Sequence, residues 1–202
     1  MLSLVIPVYR NQESIPALLE ALERVDETLD HDFEVVFVID GSPDRSLEIL
    51  GAALPNARFR STTVVLSRNF GSFAAIAAGL QEGRGEMYAV MAADLQEPPE
   101  LVQVFRDRLQ AGDCDVVVGR RARRDDPLGS RLASKIFWGL YRRLIQKEVP
   151  SGGVDVFACT REFRDQLLAL GERNSSLVGL VFWLGFCRVD VGPGNGPDGS
   201  DD

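Results

Sequence analysis

A carboxylate and an amide that follow a short apolar run are the residues best suited to chemistry in this chain. The run Tyr88–Ala93 ends at Asp94-Leu95-Gln96, and Pro98-Pro99 comes soon after. A buried strand of this kind would deliver two oxygen-bearing side chains to its end, and hard cations such as Mg²⁺ prefer oxygen ligands. Taken alone, such a strand end is more often a plain turn, so its meaning depends on the other strand ends.

Polar residues follow three further apolar runs in the same way. Pro7-Val8-Tyr9 with Glu13 follows the first, Asp40-Gly41-Ser42 the second, and Ser67-Arg68-Asn69-Phe70-Gly71 the third. Each is weak alone, since Asp-Gly is a common turn and a proline can simply end a strand. Because ligands in open α/β sheets bind at the carboxyl ends of strands, the four together predict one site.

The apolar patterns that must position these residues predict strands alternating with helices. The predicted class is therefore α/β, with a mostly parallel sheet covered by helices on both faces. Strands are predicted at Leu2–Pro7, Phe33–Ile39, Thr62–Leu66, Tyr88–Ala93, Val116–Val118 and Val154–Cys159. Helices are predicted at Glu13–Val25, Arg45–Ala53, Gly71–Leu80, Pro99–Gln110, Ser130–Gln146 and Arg161–Leu170.

The C-terminal part predicts a single domain with a tail. After the apolar stretch Leu177–Phe186, we expect Cys187–Val191 to lead directly into the tail. Residues 192–202 are rich in Gly, Pro and Asp and carry too little apolar surface to order themselves. The expected division is one domain over residues 1–191 and a disordered tail over 192–202.

Composition excludes several classes of protein. No apolar run approaches the roughly 20 residues of a membrane span, and the N-terminus has no basic region typical of a signal peptide. Three widely spaced cysteines indicate reduced thiols in a cytoplasmic protein. The only histidine, His31, is predicted in a surface turn, which argues against histidine-based catalysis. A dehydrogenase-type nucleotide site is disfavoured, because no Gly-x-Gly-x-x-Gly follows the first strand.

The net charge of −8 conceals one basic segment. Residues 120–147 contain nine Lys or Arg against Asp125 and Asp126, so the rest of the chain is more acidic than the total. This distribution favours a local anionic partner and not nucleic acid. Trp138 and Tyr141 in the predicted helix Ser130–Gln146 suit a membrane interface. A solvated basic patch and ordinary packing against the sheet both stay open.

Together the motifs resemble the family 2 glycosyltransferases, which have the GT-A fold, a Rossmann-like sheet. The resemblance covers roughly residues 2–190 and is closest to the polyprenyl-phosphate branch, which includes dolichyl-phosphate mannose synthases and bactoprenyl-phosphate glucosyltransferases. The matching landmarks are Val5-Ile6-Pro7-Val8-Tyr9, Val38-Ile39-Asp40-Gly41-Ser42, Leu66-Ser67-Arg68-Asn69-Phe70-Gly71, Ala93-Asp94-Leu95-Gln96-Glu97-Pro98-Pro99-Glu100, Ser151-Gly152-Gly153-Val154-Asp155 and Leu184-Gly185-Phe186.

The resemblance implies a nucleoside-diphosphate sugar donor, linked to UDP or GDP, and a metal cofactor. Asp94 and Gln96 are expected to hold Mg²⁺ or Mn²⁺ against the diphosphate. Many relatives carry Asp at the position of Ala92, so this departure is expected to weaken the affinity of the metal site. The residues expected to bind the nucleotide are Pro7, Tyr9, Glu13, Asp40, Arg68, Ala93 and Asp94.

The resemblance also implies a polyprenyl phosphate acceptor, such as undecaprenyl or dolichyl phosphate. The acceptor phosphate is expected at Arg120, Arg121, Arg131 and Ser134, since a guanidinium binds phosphate with two parallel hydrogen bonds. Asp155 is expected to contact sugar hydroxyls or to orient the acceptor, and the catalytic set is Asp94, Arg121, Arg131 and Asp155. The implied reaction inverts the anomeric carbon, in a peripheral protein at the inner face of the membrane.

Two other readings of the function remain at this point. One is a family 2 transferase with a soluble or polysaccharide acceptor, and the other is a non-catalytic protein that binds nucleotide sugars. Relatives usually continue after Phe186 into a strand and an Arg-rich loop, so this chain is expected to be truncated or to work without that loop. A homo-oligomer or a membrane partner subunit also stays open.

Overall fold

The predicted α/β fold is confirmed by the computed structural model, which describes residues 1–119, 156–171 and 177–191. The strands are β1 (Leu2–Val8), β2 (Phe33–Asp40), β3 (Arg60–Leu66), β4 (Met87–Val90), β5 (Val116–Gly119), β6 (Val156–Thr160) and β7 (Arg188–Val191). The helices are α1 (Ile15–Thr28), α2 (Ser46–Ala53), α3 (Ser72–Glu82), α4 (Leu101–Ala111), α5 (Arg161–Ala169) and α6 (Leu177–Trp183).

The seven strands form one sheet in the order β3-β2-β1-β4-β6-β5-β7. All neighbouring pairs are parallel except those of β6, which runs antiparallel to β4 and to β5. The carboxyl ends of β1 to β5 and the start of β6 therefore lie along the same edge, called the carboxyl edge below. The predicted polar strand ends all belong to this edge.

Helices cover both faces of the sheet, and the central strands are apolar on both sides. Leu4 of β1 belongs to a core cluster with residues of α1, α2 and α4. Its neighbour Val5 belongs to a second cluster with residues of α3, α5 and α6. Because successive side chains of a strand point to opposite faces, a strand buried on both faces is continuously apolar.

Strand β4 is shorter than the sequence predicted, because it ends at Val90 and not at Ala93. The Met91 N–H still donates to the Val5 oxygen (3.1 Å), but the pairing with β6 stops at Val90 opposite Phe157. The residues after Met91 are apolar and buried in part, so their composition alone does not show where the ladder ends.

No strand is predicted over Cys187–Val191, but the structure has one there. Arg188–Val191 forms β7, which pairs in parallel with β5 at the edge of the sheet. The Asp115 carboxylate accepts a hydrogen bond from the Cys187 N–H (3.2 Å), and the Cys187 oxygen accepts one from the Asp115 N–H (2.9 Å). Strand pairing with β5 therefore orders a segment whose own apolar content is small.

Several predictions concern residues outside the described ranges. They are the helix Ser130–Gln146, the basic residues of 120–147, Asp155 and the tail 192–202. Among the described helices, none is long and apolar enough to cross a membrane. The three cysteines are free, as predicted.

A buried polar network closes the amino edge of the sheet, opposite the carboxyl edge. Ser3 is fully buried, and its hydroxyl donates to Glu34 Oε1 (2.5 Å). The Arg84 N–H donates to the same carboxylate (2.6 Å), and the Gly85 N–H donates to Ser3 Oγ (2.7 Å). Buried polar groups are costly unless they are paired, so this network fixes the turn between α3 and β4.

The close approach of α3 to the sheet yields a testable prediction. A Cβ on Gly79 would overlap Val5 Cγ1 and lie 3.0 Å from Val38 Cγ2, whereas a Cβ on Gly51 in α2 meets no atom within 4 Å. We expect Gly79→Ala to lower the free energy of unfolding by about 1–3 kcal/mol through overpacking. Gly51→Ala, the matched control, should raise it by about 0.5–1 kcal/mol. Urea denaturation measures both, and a Gly79→Ala protein as stable as wild type would contradict the packing.

Candidate functional site

The β1 loop, residues 9–14, leaves the sheet with an unusual backbone. The backbone N–H and C=O groups of Val5 face β4. Those of Pro7, two residues later, face the same side, but β4 has already ended there. The missing N–H of Pro7 therefore leaves no ladder hydrogen bond unmade. Arg10 follows with a φ of 58°, and its guanidinium carbon lies 5.3 Å from the centroid of the Tyr9 ring. Such a φ is uncommon for a residue other than Gly, Asn or Asp.

The β2 loop, residues 41–45, and the first residue of α2 hold the β1 loop through side-chain acceptors. The Arg10 N–H donates to Ser42 Oγ (2.8 Å), the Asn11 N–H to Ser46 Oγ (3.3 Å), and the Gln12 N–H to Asp44 Oδ2 (3.0 Å). Three consecutive N–H groups of the β1 loop are thus satisfied by the chain that follows β2.

Asp44 is the centre of this arrangement. Partial burial would raise the pKa of Asp44, but hydrogen bonds from the Ser42 and Ser46 side chains and from the Gln12 and Ser46 backbone outweigh burial and lower that pKa from 3.8 to about 2. A lowered pKa means that the ionised form stabilises the fold at any pH above about 4, and that this contribution is lost as the pH falls towards 2.

Asp40 holds the β3 loop, residues 67–71, on the other side of β2. Its carboxylate is only 3% exposed, and it accepts hydrogen bonds from the Phe70 N–H (2.7 Å) and the Gly71 N–H (2.9 Å). A carboxylate offers about four acceptor positions, so these two bonds do not exhaust it. The next residue, Gly41, has a φ of 56° and lies against the backbone of Arg68 and Asn69.

The β4 loop, residues 91–97, carries the predicted metal ligands. Asp94 and Gln96 are exposed, and Asp94 Oδ1 accepts a hydrogen bond from the Gln96 N–H (3.2 Å), which is the geometry of an Asx turn. Leu95 between them has a φ of 56°, a conformation that costs an L-residue about 1–2 kcal/mol. Its side chain packs against the core cluster of β1 and α1, which holds the turn in place.

The β1, β2 and β4 loops line an open cleft of about 560 Å³ at the carboxyl edge. Three carboxylates and one guanidinium contribute to its walls, so the cleft is acidic. Its lining residues are Arg10, Asn11, Gln12, Glu13, Ser14, Pro43, Asp44 and Asp94. An exposed carboxylate beside an amide at this edge has the oxygen chemistry that suits Mg²⁺ or Mn²⁺, so Asp94 and Gln96 fit the implied metal. Among the described residues, no three His, Cys, Asp or Glu side chains form a metal-holding group by themselves.

The structure brings together some predicted site residues and places others around them. Glu13 and Asp94 line the cleft, while Tyr9 is exposed beside it in the same loop. Arg68 is exposed in the β3 loop, with its guanidinium carbon 4.7 Å from the centroid of the Phe70 ring. Pro7 and Ala93 lie in the strand β1 and in the β4 loop. Arg120, Arg121, Arg131, Ser134 and Asp155 lie outside the described ranges.

Sequence reasoning missed Asp44, the residue that joins the β1 and β2 loops. The segment Asp40-Gly41-Ser42-Pro43 has the composition of a turn, and it does not point to the residue that follows, Asp44. Its partners are more than 30 positions away in the sequence, at Arg10 to Gln12. The only available signal was the presence of two hydroxyls, Ser42 and Ser46, on either side of one carboxylate.

The contact of Gly41 with the β3 loop gives a second prediction. A Cβ on Gly41 would overlap the backbone of Arg68 and Asn69, and that backbone is held by Asp40. We expect Gly41→Ala to lower the free energy of unfolding by roughly 3 kcal/mol or more, because both overlap and backbone strain act. Gly112 has a φ of 76° with no atom near its Cβ position, so Gly112→Ala should cost only about 1 kcal/mol. Equal losses in thermal or urea unfolding would refute the close contact.

Comparison with known proteins agrees with this geometry. A model of the family described as Glycosyl transferase family 2 matches residues 3–169. The undecaprenyl-phosphate 4-deoxy-4-formamido-L-arabinose transferase of Pseudomonas syringae pv. syringae (strain B728a) is 38% identical over 173 residues, which are 86% of this chain and 51% of the relative. The transferase of the same name from Photorhabdus laumondii subsp. laumondii is 34% identical over 173 residues, 86% of this chain and 53% of the relative. This chain thus spans about half the length of these relatives.

Solved structures show the same fold at low sequence identity. The mannosyltransferase PcManGT from Pyrobaculum calidifontis, in complex with GDP-Man and Mn²⁺, aligns with a TM-score of 0.68 at 16% identity, over 95% of this chain and 54% of that one. Residues 1–349 of S. aureus TarS align with a TM-score of 0.60 at 18% identity, over 94% of this chain and 57% of that one. With a family model that matches most of its length and relatives above 30% identity, this chain belongs to glycosyl transferase family 2.

Proposed function

We propose that this protein transfers a sugar from a UDP- or GDP-linked donor to a polyprenyl phosphate at the inner face of the membrane. The observation that carries the proposal is the cleft at the carboxyl edge, where Asp94 and the loops of β1 and β2 converge. The polyprenyl phosphate acceptor is supported by two relatives above 30% identity, both named undecaprenyl-phosphate transferases. Since this chain spans about half of each, the activity of the whole relative is carried over only as a proposal.

The donor nucleotide would bind along the ends of β1, β2, β3 and β4. Carboxylates accept hydrogen bonds from base N–H groups and ribose hydroxyls, which suits Glu13 at the cleft wall and the unused acceptor positions of Asp40. Arg68 would add a cation near the nucleotide. Tyr9 is 39% exposed and offers an aromatic face at the same place. Pro7, Ala93 and Asp94 would complete the set through the strand ends.

Asp94 and Gln96 would hold the Mg²⁺ or Mn²⁺ ion, together with oxygens of the donor diphosphate. When bound, this ion would neutralise charge that develops on the leaving diphosphate. Magnesium often takes only one or two protein ligands and completes its shell with phosphate oxygens and water, so two ligands suffice. The structural neighbour PcManGT was solved with GDP-Man and Mn²⁺, which supports a divalent ion beside a nucleotide-sugar donor.

The acceptor phosphate would bind to the segment 120–155, through Arg120, Arg121, Arg131 and Ser134. Gly119 and Val156, the described residues that flank this segment, pair with each other at the carboxyl edge. Residues 120–155 therefore leave and rejoin the described fold at the edge that carries the cleft. Asp155 would contact the sugar or orient the acceptor. The basic helix predicted at Ser130–Gln146 would attach the protein to anionic lipid.

The proposed chemistry needs no histidine base. A phosphate monoester is already anionic near neutral pH, so its oxygen attacks the anomeric carbon directly while the bond to the donor diphosphate breaks and its electron pair leaves with that diphosphate. Displacement from the opposite side inverts the anomeric carbon. His31 follows α1 at the amino edge, far from the cleft, and its ring bonds Asp26 (2.6 Å). The protein supplies positioning and charge stabilisation.

The metal assignment is tested by Asp94→Ala. We expect this variant to lose Mg²⁺-dependent binding of UDP or GDP by about tenfold or more, because the metal loses its charged protein ligand. Asp107→Asn, an exposed carboxylate of α4, is the matched control and should bind as wild type. Calorimetric titration with and without Mg²⁺ gives both affinities. Full Mg²⁺-dependent binding by Asp94→Ala would exclude Asp94 as the ligand.

The acceptor assignment is tested by transfer to a short polyprenyl phosphate. With UDP- and GDP-sugars as donors, we expect product with one donor only, dependent on Mg²⁺ or Mn²⁺ and abolished by chelator. Arg131→Ala should spare nucleotide binding and raise the KM for the acceptor by about tenfold. A change of this size corresponds to the free energy of one charge-assisted hydrogen bond. Transfer to a soluble sugar but not to the lipid phosphate would favour the soluble-acceptor reading. A nucleotide-binding protein without any product would favour a non-catalytic role, which Ala92 also favours.

A further inference from the structure

We propose that Asp44 is a positioning residue of the donor site, which fixes the β1 loop in the shape that lines the cleft. This inference rests on the proposed function for its biological meaning, but its physical content concerns only the loops. The sequence motifs that mark the site do not include Asp44. Its role follows from the contacts of its carboxylate and of the two hydroxyls beside it.

The Asp44 carboxylate and the two serines beside it hold three consecutive N–H groups of the β1 loop. Asp44 Oδ2 accepts directly from the Gln12 N–H (3.0 Å). Asp44 Oδ1 accepts from the Ser42 hydroxyl (2.6 Å), and that hydroxyl accepts from the Arg10 N–H (2.8 Å). Asp44 Oδ1 also accepts from the Ser46 N–H (3.2 Å), and Ser46 Oγ accepts from the Asn11 N–H (3.3 Å). The Gln12 N–H therefore reaches Asp44 directly and the Arg10 N–H through one hydroxyl, while the Asn11 N–H binds Ser46, whose own N–H bonds Asp44.

The β1 loop needs such an anchor. Arg10 has a φ of 58°, which L-residues with long side chains rarely adopt unless the surroundings impose it. The Ser42 hydroxyl that bonds Asp44 is the acceptor for the N–H of this same residue. Arg10, Asn11, Gln12 and Glu13 all line the cleft. A change in the backbone at Arg10 would move four consecutive residues of one cleft wall.

The positioning role of Asp44 differs from ordinary helix capping in the segment that it stabilises. Asp44 Oδ1 also accepts from the Ser46 N–H (3.2 Å), at the first turn of α2. If capping were its only role, loss of the carboxylate would disturb α2 and leave residues 9–14 unchanged. If Asp44 positions the β1 loop, its loss would expose the N–H groups of that loop to solvent. Amide hydrogen exchange resolves the two segments and distinguishes the two roles.

Asp44→Asn is the sharpest variant, because it keeps the volume and replaces one acceptor oxygen by a donor. That donor would face an N–H or hydroxyl that now needs an acceptor, so at least one of these bonds is lost. Ser42→Ala is a milder variant that removes only the link between Asp44 and the Arg10 N–H. It also keeps the proposal testable if Asp44→Asn fails to fold.

Ser3→Ala is the matched control, because it removes a buried hydroxyl that donates to a carboxylate at the opposite edge of the sheet. It provides a comparable loss of stability without any contact to the cleft. We expect amide exchange over residues 9–14 to be faster than in wild type in Asp44→Asn and in Ser42→Ala. In Ser3→Ala, exchange over the same residues should equal that of wild type. Exchange unchanged over 9–14 in both loop variants, or faster only over α2, overturns the proposal.

The second readout is the affinity for UDP and for GDP, each with Mg²⁺. We expect a Kd raised about tenfold or more in Asp44→Asn, a smaller rise in Ser42→Ala, and a value within twofold of wild type in Ser3→Ala. Equal weakening in Asp44→Asn and Ser3→Ala would mean general destabilisation and would overturn the positioning role. If wild type binds neither nucleotide, the proposed function fails, while the exchange data still decide whether Asp44 holds the loop.

Discussion

The shape of the cleft depends on two carboxylates at the end of β2, which accept hydrogen bonds from the loops on either side. Asp40 binds the backbone of the β3 loop, and Asp44 gathers the N–H groups of the β1 loop. Strand β2 lies between β1 and β3 in the sheet, so one strand end controls both neighbours. Loop N–H groups have no ladder partner, and a carboxylate satisfies several of them at once because it only accepts.

The sequence predicts the buried central strands of this fold better than the residues at which strands end or the strand at the edge of the sheet. Phe33–Ile39 is apolar except for Glu34, and such a run is typical of a parallel strand buried on both faces. The end of β4 could not be predicted, because it is set by where β6 stops pairing and not by the apolar residues that follow. Strand β7 was missed for a similar reason, since Arg188 and Asp190 give it little apolar content and its order comes from β5. Pairing partners distant in sequence decide both cases.

In the candidate site too, residues marked by the local sequence could be predicted, and contacts between distant residues could not. Asp40 and Asp94 could be predicted, because a polar residue that ends an apolar run is visible in the sequence itself. Asp44 could not, because its function lies in bonds to residues more than 30 positions away. The φ values of Arg10 and Leu95 were equally hidden, since both residue types disfavour that conformation. Their surroundings impose it through hydrogen bonds at Arg10 and core packing at Leu95.

The electrostatics of the cleft constrain what it can bind. Among the described lining residues, Glu13, Asp44 and Asp94 oppose the single cation Arg10, and Asp44 stays ionised at any working pH because its pKa is about 2. A diphosphate brought to these walls alone would meet like charge, which disfavours binding. Two sources of positive charge relieve that conflict in the proposed complex: a divalent ion at Asp94, and the nine basic residues of 120–147. The segment that contains those basic residues begins and ends at the carboxyl edge, so the charge distribution of the sequence and the topology of the sheet point to the same requirement.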